Sequence, residues 1–408
     1  MSYSLENAKT KKTTEIGGRK DGMQWGVSCM QGRRPTMEDA HVVKEITSVE
    51  DPETGKSMEL KEPHYFFTVL DGHAGFMAAE YTSKHLWELV QRRPEFIVYA
   101  KSVSKDAQAT ETVPKEEQKS RDSPSDPTDS IPLTRPKLTN DSSRLLQRAL
   151  EDAFVEMDLQ LLKEMVNQGL FKFKVQPDPD TQKPEAKKSG DEDDDDDDKD
   201  SDPGPISSGT TVTALLVTPD LMLCANLGDC RTILDGVPLS TDHKPFLPQE
   251  RKRILEAEGI VMFNRVDGEL DISRALGDFE LKGYNQSHIV EGSMDMEEKR
   301  TLAQKLKVSS FPEVTVHYRT AMDQIVILAC DGVWDVMSNT ACNEKVRDIC
   351  EIGKSDVGLI AEKILHSCFW VHESYDNMTI LIGLLPSPEI EVDSEGRVRK
   401  RRKEEPYA

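Results

Sequence analysis

Between His64 and Gly75 the chain reads HYFFTVLDGHAG, and the unbroken apolar and β-branched run from Tyr65 to Leu70 predicts a strand buried on both faces. That run stops at Asp71-Gly72-His73. Beyond it Phe76, Ala79, Ser83, Leu86 and Val90 recur at helical spacing, which puts the polar triplet in a strand-to-helix turn. An earlier strand is expected over residues 24–30, closed by the turn-like Gln31-Gly32-Arg33-Arg34-Pro35, where the proline disfavours a helix through Arg34. Residues 50–63 read as a loop or hairpin tip. Leu146, Leu150, Phe154, Met157 and Leu161 mark a helix that begins near Asp141 and packs one face on a core.

A dense β region opens at Ser207. Strands over 211–218, 221–227 and 231–234 are separated by Pro219-Asp220 and Gly228-Asp229, the spacing of an antiparallel meander. Residues 249–258 read as helix, 264–282 as a polar stretch punctuated by glycine, and 284–308 as a lobe with one short helix. Strands return over 314–317, 325–330 and 378–384, with helices over 343–350 and 357–369 between the last two. Antiparallel runs with interleaved long helices predict an α+β fold in which sheets are covered by helices, with one core domain and no internal repeat.

Composition refines this outline. Hydrophobic residues make up 37% of the 408, below the roughly 45–50% of globular chains, and the deficit is local. Residues 101–140 and 172–205 lack periodicity and are polar, so both read as disordered insertions. Residues 1–20 read as a flexible lead-in, 21–388 as the single core domain, and 389–408, with Arg397-Val398-Arg399-Lys400-Arg401-Arg402-Lys403, as a basic tail. The net charge is -22, of which residues 191–202 carry -9. This acidic balance argues against nucleic acid and anionic membrane as partners. Seven scattered cysteines without a Cys-x-x-Cys pair suit a reducing compartment, and no apolar run approaches a membrane span. The expectation is an intracellular, soluble, monomeric protein of the nucleus or cytoplasm, neither secreted nor anchored to a membrane.

The chemistry is read from its aspartates. Of five Asp-Gly pairs, Asp235-Gly236 reads as a hairpin turn, while Asp21-Gly22 and Asp267-Gly268 sit among polar residues. Asp71-Gly72 and Asp331-Gly332 differ, because each ends a solidly apolar run, FFTVL or IVILAC. Asp376-Asn377 precedes a third such run, MTILIGLL, and Glu38-Asp39 follows the first strand. Carboxylates gathered at one sheet edge repel one another, and proteins relieve such repulsion with cations or raised pKa values. An oxygen-only set without zinc spacing favours Mg²⁺ or Mn²⁺, and the hypothesis is a binuclear hydrolytic site acting on phosphorus.

MQGRRPTMEDAH, VLDGHAG, SGTTVTALLV, ANLGDCR, DHKP, SRALGDF, ACDGVWDV and DNMTIL resemble, in the same order, the motifs of the metal-dependent PPM protein phosphatases, also called type 2C serine/threonine phosphatases. The resemblance implies a central antiparallel β-sandwich flanked by helices on both faces, with the metal site in a cleft at one end. It implies that Asp71 bridges two metals, that the Gly72 carbonyl and Glu38 serve one, and that Asp331 and Asp376 serve the other. Asp39 orders metal-bound water, Arg34 binds the substrate phosphate, and His73 is the general acid for the leaving seryl or threonyl oxygen. Asp229 and Asp335 match positions that hold a third, weaker metal with Asp331, and Asn377 and Arg274 look like supporting residues. The implied activity is hydrolysis of phosphoserine and phosphothreonine by a metal-activated water, with two Mg²⁺ or Mn²⁺ per subunit and phosphoproteins as substrates.

The chain departs from the family pattern at Arg33, where tryptophan is usual, at Tyr375, where a small or basic residue is common, at Ala74, where glycine is frequent, and at Ser2, where similar relatives carry a myristoylated glycine. Its acidic insert and basic tail resemble the nuclear gamma-type subgroup, which implies binding of basic nuclear proteins and a nuclear import signal. The rival reading is a catalytically silent acidic scaffold. The full ligand set argues for the enzyme.

Overall fold

The computed structural model describes residues 9–19, 22–107, 140–173, 208–290, 292–386, 390–393 and 396–400. Four strands, β1 (Lys9–Gly18), β2 (Gln24–Gly32), β3 (Ala40–Glu50) and β4 (Ser57–His73), precede the helices α1 (Met77–Gln91), α2 (Pro94–Val103) and α3 (Asn140–Asn167). Next come β5 (Gly209–Val217), β6 (Leu221–Leu227), β7 (Arg231–Leu234) and β8 (Val237–Pro238). A smaller lobe holds α4 (Pro248–Glu256), β9 (Val261–Met262), β10 (Arg265–Val266), β11 (Leu276–Gly277), α5 (Phe279–Lys282) and α6 (Met296–Lys305). The chain then forms β12 (Glu313–Tyr318), β13 (Ile325–Ala329), α7 (Asp331–Trp334), α8 (Asn339–Ile352), α9 (Val357–Trp370) and β14 (Met378–Leu384), followed by the hairpin β15 (Ile390–Val392) and β16 (Val398–Lys400).

Two sheets stack face to face. One has the order β1-β2-β14-β13-β7-β8, the other β12-β6-β5-β4-β3 with β11 beside β5, and the pairings are antiparallel. The α+β sandwich expected from the sequence is therefore present. The apolar run of β4 explains the layering, because its side chains alternate between two cores. Phe67 and Val69 enter the core between the sheets, with Val27, Leu215, Leu328 and Leu381. Phe66 and Leu70 enter the core under the α1 and α3 helices, with Leu86, Leu150 and Phe154. On the other outer face Ile327, Ile380 and Ile382 meet Val346, Ile364 and Phe369 of α8 and α9. Each such fully buried Leu, Ile or Phe contributes about 1.5–3 kcal/mol.

Several expectations need correction, among them the loop or hairpin tip at 50–63, of which 57–63 are already in β4. Within the predicted lead-in, residues 9–18 are a strand paired with β2. A polar edge strand is held by its backbone ladder and shows no apolar alternation to read. The meander breaks after β6, because β7 pairs with β13 in the opposite sheet. Gly228, at φ 97°, takes the left-handed turn that lets the chain cross. Asp71, Gly72 and His73 are still in β4, opposite Thr211, Thr210 and Gly209, and the turn comes only after them. Finally, part of the basic tail is folded: Val398 is fully buried in the α8 and α9 core, and Arg397 pairs with Asp393. Of the two predicted insertions, 108–139 and 174–205 lie outside the described residues, whereas 101–103 still belong to α2. Among the described residues no helix is long and apolar enough to cross a membrane.

Candidate active site and metal centre

One end of the sandwich opens into a cavity of about 450 Å³. β4 delivers Asp71, Gly72 and His73 to it, the loop between β2 and β3 delivers Arg34 and Glu38, and the β6–β7 crossing delivers Asp229. Asp331 enters at the first residue of α7, and Asp376 and Asn377 just before β14. Strands from both sheets thus converge on one cluster of carboxylates.

The two glycines of the distinctive Asp-Gly pairs explain how the segments meet. A Cβ on Gly72 would run into the backbone carbonyl of Glu38, and a Cβ on Gly332 into that of Asn377. Each glycine lets a second acidic segment lie directly against the strand end that carries the first aspartate. Asn377 then ties the loop down. Its Nδ2 donates to the carbonyls of Gln31 at 2.8 Å and Thr36 at 2.9 Å, and its Oδ1 accepts from the Glu38 amide at 2.8 Å.

Burial and mutual repulsion dominate the electrostatics. Burial, then the charges of Asp331, Asp39 and Asp229, hold the Asp71 carboxyl well above the usual carboxylate range. Asp331 is raised for the same reasons, burial first and then Asp229. Asp39 is raised too, chiefly by burial. Its Oδ2 accepts from Thr379 at 2.7 Å, whereas its buried Oδ1 has no hydrogen-bond partner among the described residues. A buried orphan oxygen is costly without a counter-charge. Ligand atoms of Asp39, Asp71 and Cys330 lie within 4.8 Å of one another. Burial pushes the Cys330 thiol well up, and the carboxylate oxygens beside it are the donors suited to hard divalent cations. The residues present fit such ions.

Not every predicted residue lines the cavity. Arg274 turns away, its Nη2 2.6 Å from Glu250 Oε1 and its Nη1 3.1 Å from the Phe311 carbonyl, and it braces the smaller lobe. Asp335 is exposed at the end of α7. Asp229 lines the cavity, yet its Oδ2 meets the Lys244 ammonium at 2.5 Å. The two adjacent arginines take different positions. Arg33 lies between the rings of Phe369, 4.5 Å away, and Tyr375, 4.7 Å away, and donates to the Ser374 carbonyl at 2.6 Å. Two departures from the family pattern therefore pack on each other. Arg34 faces the cavity and contacts Asp376 Oδ2 at 2.5 Å.

Sequence reasoning missed several members. Asp278 lies within SRALGDF, in the left-handed region at φ 52°, and accepts from His73. Burial opposes a charge on His73, but the Asp278 carboxylate outweighs it, with Asp229 and Asp271 adding to the effect, so the imidazole pKa is raised. Lys244 lies within DHKP. Arg265 and Asp271 reach the rim from the smaller lobe, and the polar, glycine-punctuated stretch was their only signal.

Comparison with known proteins gives the family. The family profile described as protein phosphatase 2C matches residues 23–132 and 140–374. Protein phosphatase ppm-1.A of Caenorhabditis elegans is 29% identical over 96% of this chain and 65% of its own length. Protein phosphatase 2C homolog 3 of Schizosaccharomyces pombe is 30% identical over 94% of this chain and 70% of its own. The chain thus spans just under two thirds of the worm relative. The solved serine-threonine phosphatase 2C from Toxoplasma gondii superposes with a TM-score of 0.58 at 19% identity, over 91% of this chain and 99% of that one, which reflects a shared fold. With more than half its length matched in order, the chain belongs to the protein phosphatase 2C family.

Proposed function

We propose that this chain is a metal-dependent protein phosphatase that hydrolyses phosphoserine and phosphothreonine. The observation that carries the reading is the convergence of Asp71, Asp331, Asp376 and Glu38 with Arg34 and His73 on one cavity. Asp71 would bridge two Mg²⁺ or Mn²⁺, with the Gly72 carbonyl and Glu38 on one and Asp331 and Asp376 on the other. When bound, such ions neutralise the carboxylates and supply Lewis acidity toward phosphate and water. A third ion at Asp229 would have to displace the Lys244 ammonium, which makes that site the weakest.

The chain's own groups then divide the work. Arg34 leaves Asp376 to grip the substrate phosphate through charge-assisted hydrogen bonds. Asp39 offers its orphan oxygen to order water. His73, kept protonated by Asp278 at Nε2, donates its Nδ1 proton to the departing serine or threonine oxygen. Nothing in the cavity favours a silent scaffold, which would have no need to crowd repelling acids at one place.

The test is hydrolysis of a phosphothreonine peptide with Mn²⁺ or Mg²⁺, with and without chelator, by wild type and Asp331→Asn. Metal-dependent turnover that collapses in the variant is expected. Equal rates in both proteins, or no turnover in wild type, would overturn the reading.

For the acidic residues 191–202 and the basic run 397–403 we infer a nuclear role, in which the first binds basic proteins and the second directs import. Within the run, residues 398–400 form β16 and Arg397 pairs with Asp393. Unchanged nuclear content after mutation of the run, or unchanged partners after deletion of 191–202, would overturn the respective half.

A further inference from the structure

The sandwich has a second concave end. Opposite the carboxylate cluster lies a cavity of about 600 Å³, larger than the catalytic one and within the roughly 300–1,000 Å³ of small-molecule sites. It forms where the β1–β2 turn, the start of the β4 apolar run, the β5–β6 turn and the segment after β12 converge. Tyr65 borders this cavity and Asp71 the catalytic one. At about 3.3 Å per residue, the intervening length of β4 separates them by about 20 Å.

The walls are of two kinds. Met23, Val217 and Pro386 are aliphatic, and Arg19 and Arg319 bring guanidinium groups, with Glu62 exposed at the rim. Arg319 Nη1 donates to the Thr218 carbonyl at 2.8 Å, and Arg19 Nε to Glu45 at 2.5 Å, so both heads are held in place. Tyr65 is only 4% exposed, and its buried hydroxyl has no hydrogen-bond partner among the described residues. Buried hydroxyls normally find a partner. An exception beside a cavity with two arginines marks where an acceptor oxygen fits. Burial raises the phenol's pKa above its ordinary value, so at neutral pH it is a donor. Glu45 offsets the charge of Arg19 and Glu62 is exposed at the rim, so the attraction for an anion comes from Arg319, whose charge acts on the Tyr65 hydroxyl.

We propose that this cavity binds a small aliphatic carboxylic acid, its chain against Met23, Val217 and Pro386 and its carboxylate toward the Tyr65 hydroxyl and the Arg319 guanidinium. Recognition combines burial of an alkyl body with a charge-assisted hydrogen bond.

The test is calorimetric titration of decanoate into the full chain, with decanol as the uncharged control. A single saturable site is expected, with decanol at least about tenfold weaker, the worth of a hydrogen bond to a charged group. Gly22→Leu should block the site, since a Cβ there would stand 3.7 Å from the Tyr65 hydroxyl and 3.2 Å from the Arg19 Cβ, while phosphopeptide turnover stays unchanged. Tyr65→Phe keeps the packing and should weaken decanoate about tenfold while leaving decanol unaltered. The proposal fails if decanoate shows no saturable binding at millimolar concentration, if decanol binds equally well, or if a folded Gly22→Leu or Tyr65→Phe binds decanoate with wild-type affinity.

Discussion

Nε2 of His73 stands 2.8 Å from Oδ1 and 2.9 Å from Oδ2 of Asp278, a residue 205 positions further along the chain. The pair joins the end of β4 to the segment after β11. A Cβ on Gly209, the β5 partner of His73, would collide with both members. Asp278 holds the imidazole's orientation and favours its charged form.

Asp278→Asn tests that relation. Without the carboxylate the His73 pKa falls, so the protonated imidazole is lost at lower pH than in wild type. The alkaline limb of kcat against pH should move toward acid, and kcat at neutral pH should drop by roughly tenfold or more. A purely structural role for Asp278 would lower activity without moving the limb.

Metal addition should act on stability as well as on rate. The cluster around Asp71 and Asp331 is strained by repulsion when no cation is present. Mn²⁺ should therefore raise the melting temperature and chelator reverse it. Asp331→Asn removes one of the repelling charges, so the metal-free variant should be more stable than metal-free wild type, by about 1 kcal/mol. Its gain on adding Mn²⁺ should shrink. Calorimetric scans of both proteins with and without metal give the comparison.

Glu250, 3% exposed, accepts hydrogen bonds from Arg253, Arg274 and Ser273. Burial alone would raise its pKa, yet the two arginines hold it at about 2, below the ordinary 4.5. A depressed carboxylate stabilises the fold above its unfolded pKa, and that stability drains away as pH falls from 4.5 toward 2. Glu250→Gln should cost about 3 kcal/mol at pH 7 and flatten the acid limb of stability below pH 5. Urea unfolding at a series of pH values measures both.

The clasp of Arg33 by Phe369 and Tyr375 sits one residue from Arg34 and Asp376 on both sides. Tyr375→Ala should cost about 0.5–1 kcal/mol, the worth of an exposed cation–π contact. The loss of order next to Arg34 should raise KM for a phosphopeptide more than it lowers kcat. A double-mutant cycle with Arg33→Ala should return a coupling energy of the same size.

A last variant addresses the close approach of segments. Gly332→Ala places a methyl against the Asn377 carbonyl, and because that contact is to backbone the segment itself must shift. A loss of about 2 kcal/mol or more is expected, together with weaker metal-induced stabilisation, read by thermal scans with and without Mn²⁺.

Strand identity and the main carboxylates are legible in the chain because both are local. FFTVL and IVILAC are apolar, β-branched runs that form buried strands, and the aspartate that follows each run comes near a strand's end. Ordered motifs supply Glu38, Asp376, Arg34 and His73 as candidates, and all four line the cavity. What the chain does not disclose is non-local. The β1 edge strand is held by a backbone ladder that leaves no side-chain pattern, and β7 crosses to the second sheet through a glycine turn that looks like any other. Asp278 and Lys244 meet His73 and Asp229 across long separations, and Arg274 leaves the cavity because Glu250 offers it a buried, bidentate partner. Periodicity reports which residues are buried, whereas the partner of each charge depends on which segments the two sheets bring within a few ångströms.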